Sequence, residues 1–165
     1  MRMRNAVLAS RRIILICLVH PVLLVILALM VRVHEFKKVT RGRVVIWGDE
    51  GFLDLANKAF DDLKALDGSM YERIISGRRL RFYFNKKPSE QAIQCGTFSI
   101  NDGFCKLGTQ GIIARVVYAY LLAHAFGDRV LPKVERKMLY DEAKSQARAW
   151  LESKGFPNEI IEIFK

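Results

Sequence analysis

The chain has 165 residues, a formal net charge of +10 and three cysteines. The charge is lopsided: residues 1–43 hold nine Lys/Arg against the single acid Glu35, a net +8, whereas residues 44–165 hold eighteen against sixteen, a net +2. So nearly neutral a C-terminal part argues against nucleic acid as a partner, three cysteines do not make a disulfide scaffold, and a basic cluster beside an apolar run suits anionic lipid headgroups.

That run is Ile13–Val31, nineteen residues without a charge. At the rise of an α-helix it is about 28 Å long, close to the thickness of a hydrocarbon core. His20-Pro21 in its middle predicts a kink, which membrane helices tolerate. No small-x-small cleavage site follows, since Ala28 and Met30 fit that pattern poorly, so the segment reads as an uncleaved anchor rather than a signal peptide. The chain then divides into a basic tail (1–12), a transmembrane helix (13–33), a basic juxtamembrane linker (34–43) and an α+β globular domain (44–165). Arg2, Arg4, Arg11 and Arg12 precede the span and Arg32, Lys37, Lys38, Arg41 and Arg43 follow it, a balance that sets no orientation by charge. The short tail favours an N-terminus in the cytoplasm and an exported domain.

The globular part is about 120 residues, enough to bury one core without metal or disulfide support. Arg43–Trp47 is β-branched and ends at Gly48, which predicts a strand. Asp49 then caps a helix running to Leu66, with Phe52, Leu55, Ala56, Ala59, Phe60 and Leu63 at helical spacing. Asp67-Gly68 breaks it, and Ser69–Ile75 forms a short helix that Gly77 ends. Arg79–Asn85 alternates as a strand, with Leu80, Phe82 and Phe84 on one face. Its neighbours Arg78, Arg79, Arg81, Lys86 and Lys87 interleave with aromatics as in single-strand binders, but the alternation commits those rings to the sheet. After a loop at Lys86–Glu90, Ala92–Leu107 reads as a hairpin or bent edge strand about Asn101-Asp102-Gly103. Cys95 and Cys105 flank that turn. They are either buried thiols or, in an oxidising compartment, a disulfide, although a two-residue turn places Cys105 opposite Phe98.

Gly111–Asp128 (GIIARVVYAYLLAHAFGD) is the apolar centre of the domain and reads as one helix closed by Gly127. Lys133–Lys154 follows, with an apolar stripe of Val134, Met138, Leu139, Ala143, Ala147, Trp150 and Leu151. Gly155 and Pro157 separate it from a last short helix. Tyr118, Tyr120 and Trp150 read as packing residues. Phosphate-cradling glycine loops of the forms GxGxxG and GxxxxGK[ST] are absent.

His124 and Asp128 lie four apart and share a helix face, and Glu142 follows on the next helix. One imidazole and two carboxylates can hold a zinc ion. The same groups can equally be separate surface residues, with His124 on the helix C-terminal dipole, Asp128 beside Arg129 or Arg136, and Glu142 beside Lys144 or Arg148.

The segment LLAHAFGD resembles the LLAHEFGH of gluzincin-type zinc metallopeptidases, and EAKSQARA resembles their ExxADxxA. WLESKGFPNEI has the form of the family's helix, glycine and proline ending, and TFSI (97–100) stands where their substrate-pairing edge strand lies. The likeness spans about residues 44–160. It implies a zincin-like domain, a short antiparallel or mixed sheet packed on helices, with His124, Asp128 and Glu142 at the metal-ligand positions. The sequence departs from the family where the chemistry is done: Ala125 replaces the glutamate that activates metal-bound water, and Asp128 replaces the second histidine. The resemblance therefore implies a catalytically degenerate, membrane-anchored binding or scaffold module, without a cofactor, that takes a protein or peptide segment at the edge strand Thr97–Ile100. The alternatives are a zinc-dependent hydrolase with an atypical His-Asp-Glu site and a structural subunit of a membrane complex.

Overall fold

The computed structural model describes residues 37–84, 96–127 and 132–164. Its first two strands, β1 (Lys37–Arg41) and β2 (Val44–Gly48), form an antiparallel hairpin in which Lys37 pairs with Gly48 and Arg41 with Val44. The region expected to be a basic linker thus contributes an edge strand. Its lysines fit that place, since charged side chains protect an exposed edge from further pairing. Gly42 turns the hairpin at φ +56°, where a Cβ would stand 2.5 Å from the Ile75 carbonyl oxygen.

Helix α1 (Glu50–Leu66) starts as expected, with Asp49 accepting a hydrogen bond from the Phe52 amide at 2.9 Å. Its buried face carries Phe52, Leu53, Ala56, Ala59, Phe60 and Leu63. Helix α2 (Gly68–Ser76) follows after the single residue Asp67, whose side chain caps it through the Met70 amide. The chain returns to the sheet as β3 (Leu80–Phe84), parallel to β2 with Val44 opposite Leu80, and β4 (Thr97–Ile100) pairs parallel to β3 with Phe82 opposite Phe98. The sheet order is β1-β2-β3-β4, so β4 is an edge among the described residues.

The hairpin expected around Asn101-Asp102-Gly103 does not form. The Asn101 carboxamide oxygen accepts from the amides of Gly103 at 3.0 Å and Phe104 at 3.3 Å, and a short helix α3 (Asp102–Lys106) begins there. An asparagine side chain that satisfies the first free amides of a helix caps it instead of reversing the chain.

Helix α4 (Gly108–Phe126) is buried on almost every side, from Ile112 and Ile113 through Leu122 to Phe126, the signature of a helix enclosed by a domain. Gly111 lets it approach α3, since a Cβ there would collide with the Phe104 carbonyl oxygen. Helix α5 (Lys133–Ser153) lies against α4, with Phe126 and Tyr140 edge to face at 5.4 Å. Its buried residues are Ala143, Ala147 and Leu151. Val134 and Met138, expected in the same stripe, are 73% and 66% exposed. They precede Ala143 by nine and five residues, about 180° and 140° around a helix, and so cannot share its face. Helix α6 (Asn158–Ile161) and a 3-10 turn (Glu162–Phe164) then bury Ile160, Ile161 and Phe164. One continuous core joins all these elements.

The domain is therefore α+β, with a four-stranded mixed sheet and six α-helices among the described residues. No helix among the described residues is long and apolar enough to cross a membrane. The expected anchor (13–33), with Arg2, Arg4, Arg11, Arg12 and Arg32, lies outside the described residues, as do Cys95 and Asp128.

Candidate functional site

The C-terminal end of α4 is held from two sides. Gly127 donates its amide to the Ala123 carbonyl at 3.2 Å, and Arg78 donates from Nη1 to the same oxygen at 3.2 Å. A guanidinium on the last carbonyls of a helix opposes the negative end of its dipole. Arg78, read from sequence as part of a basic run, thus fastens the β3 entry to α4. Ala125 is half-buried.

His124 is exposed, and its ring stacks on Tyr120 at 6.0 Å between centroids. The Tyr120 ring in turn lies beside Gly77, at the end of α2. Phe126, which makes the contact to α5, is two residues or about 200° further round the helix, so His124 faces away from α5. Glu142 is likewise two residues past Tyr140, the α5 side of that contact. It is exposed and accepts a hydrogen bond from Gln146 Nε2 at 3.1 Å. The structure does not bring His124 and Glu142 together. No group of three His, Cys, Asp or Glu side chains able to hold a metal ion occurs among the described residues. Of the neighbouring cations, Arg148 pairs with Glu152 at 2.8 Å, whereas Arg136 Nε is buried without a hydrogen-bond acceptor among the described residues.

The edge strand β4 is well covered. Phe98, Ser99 and Ile100 are buried, and only Thr97 is partly open. Arg115 of α4 donates from Nε to the Ser99 carbonyl at 3.0 Å, with its guanidinium 5.5–6.0 Å from the rings of Phe98, Phe104 and Tyr118. Cys105, on the adjoining α3, is a half-buried free thiol whose pKa is pushed up to about 11 by burial and by Asp102 and Asp49, which favours the thiol over the thiolate at neutral pH.

The polar centre that sequence reading missed is Asp67. Its Oδ1 accepts from the Met70 amide at 2.9 Å, and its Oδ2 accepts from Trp150 Nε1 at 3.1 Å and from Lys154 Nζ at 3.0 Å. One carboxylate caps α2 and ties the α1–α2 corner to the end of α5. The Met70 hydrogen bond first, then Lys154, holds its pKa down at about 2. The signal was present in Asp67-Gly68-Ser69-Met70, which fits an N-cap as well as a helix break. Beside it lies an open cleft of about 260 Å³ between α1, the first turn of α4 and the turn after α5, lined by Asp62, Ile113, Lys154 and Phe156 among others.

No family model, curated protein or solved structure matches the chain, so the likeness to gluzincin-type metallopeptidases stands on the residues of LLAHAFGD, EAKSQARA and WLESKGFPNEI alone.

Proposed function

We propose that the chain is a single-pass membrane protein whose globular domain acts by binding, not by catalysis. The observation that carries the anchor is the uncharged run Ile13–Val31, bracketed by Arg11 and Arg12 on one side and Arg32 on the other. The N-terminus lies in the cytoplasm and the domain is exported. The domain is a degenerate zincin-like unit, a reading supported by its order of helix, edge strand, central helix and following helix. Ala125 has no proton acceptor at the position of the general base, and His124 and Glu142 face apart on α4 and α5. A partner segment docks at the β4 edge by exchanging the Arg115–Ser99 contact for its own backbone bonds.

Membrane extraction of the full chain tests the anchor. The wild type should stay with membranes through alkaline carbonate, and Leu23→Arg with Leu24→Arg should release it. Release of the wild type by carbonate alone would sink the proposal.

A further inference from the structure

The exposed start of α5 is an apolar ridge with opposite charges on its two flanks. Val134 and Met138 are the two most exposed large apolar side chains among the described residues. A lone exposed apolar residue needs no explanation, but these two stand four apart on one helix face, turned away from the core contact of Ala143. Lys137 lies about 60° to one side of Val134, and Glu135 and Glu142 lie about 80–100° to the other. Lys137, Glu135 and Glu142 are exposed, and Lys137 and Glu135 take part in no ion pair among the described residues.

We propose that this ridge is a self-association surface, on which α5 of a second copy of this chain lies parallel to the first. In a parallel pair the basic flank of each helix faces the acidic flank of the other, whereas an antiparallel pair sets like flanks together. Lys137 and Glu142 are five residues apart, the offset at which flanking residues of parallel paired helices form ion pairs across the seam. Val134 and Met138 then meet their own counterparts. Asp141, on the same face one turn later, would meet its own copy, so the contact ends there. A seam of about two turns falls well below the roughly 800 Å² per partner of a stable interface. The pair is therefore weak, and it is caught best by trapping.

Oxidative cross-linking of the full chain in detergent micelles tests this, with Cys17→Ala, Cys95→Ser and Cys105→Ser as background. Met138→Cys should give disulfide-linked dimers well above those from Asp54→Cys, an exposed position on α1. Adding Lys137→Glu should cut the yield several-fold, and adding Glu142→Lys to that variant should restore it. Dimers no more abundant than with Asp54→Cys, a yield indifferent to Lys137→Glu, or no rescue by the double reversal would each overturn the proposal. All substitutions on α5 are at exposed positions, and unchanged circular dichroism verifies that the variants remain folded.

Discussion

The Asp67 corner and the C-terminal end of α4 both gather polar groups at helix ends, yet they differ in how many elements share them. At Asp67 one carboxylate serves α2, Trp150 and Lys154 together. At the end of α4, His124 stacks on Tyr120 of its own helix, and Glu142 accepts a hydrogen bond within α5. His124 and Glu142, which look like parts of a reaction centre, are exposed, whereas a residue that looks like punctuation carries a tertiary junction.

The comparison breaks most readily at Asp67. Asp67→Ala removes an N-cap and leaves the Trp150 indole N–H without its acceptor; the overlapping losses should total about 2–4 kcal/mol. Urea unfolding would register this as a lower midpoint with unchanged slope, and a loss below about 1 kcal/mol would show that the junction is not shared as described. The same carboxylate makes stability depend on acid. Its pKa lies lower folded, at about 2, than the ordinary 3.8, so the unfolded chain binds the proton more readily. The contribution is complete above about pH 4 and is lost as the pH falls through 3.8 towards 2. The stability gap between wild type and Asp67→Asn should narrow across that window; a constant gap would contradict the assignment.

Trp150→Phe is a smaller probe. It keeps an aromatic ring against Phe156 (5.7 Å between centroids in the wild type) and deletes one hydrogen-bond donor, with an expected cost of about 1 kcal/mol. In the Asp67→Ala background that cost should shrink, since the partner is already gone. At the other end of the comparison, His124→Ala should change stability by less than about 0.5 kcal/mol, as for an exposed residue with one ring contact.

Most helices were legible in the sequence because their apolar residues recur at helical spacing and their ends carry Asp49, Gly77 and Gly127. The hairpin was misread because Asn101-Asp102-Gly103 satisfies both a tight turn and an N-cap, and only the parallel partner β3, distant in sequence, decides between them. Strand β1 was missed because Lys37, Lys38 and Arg41 leave no apolar alternation to read. On α5, Val134 and Met138 are apolar and close in sequence to Ala143, but they lie about 180° and 140° round the helix from it, and apolarity alone does not tell the two faces apart. At the candidate site, the spacing of His124 and Glu142 was readable, but the directions in which α4 and α5 turn them were not. Those directions depend on Phe126 meeting Tyr140.

Whether His124, exposed at the end of α4, belongs to a metal centre decides between the proposed binding module and a hydrolase. Zinc content of the full chain, purified in detergent without chelator beside His124→Ala and Ala125→Glu, tests it most directly. The binding module proposed above should show the same content, far below one zinc per chain, in all three. One zinc per chain in the wild type, lost in His124→Ala, would contradict it and restore a metal centre to this helix.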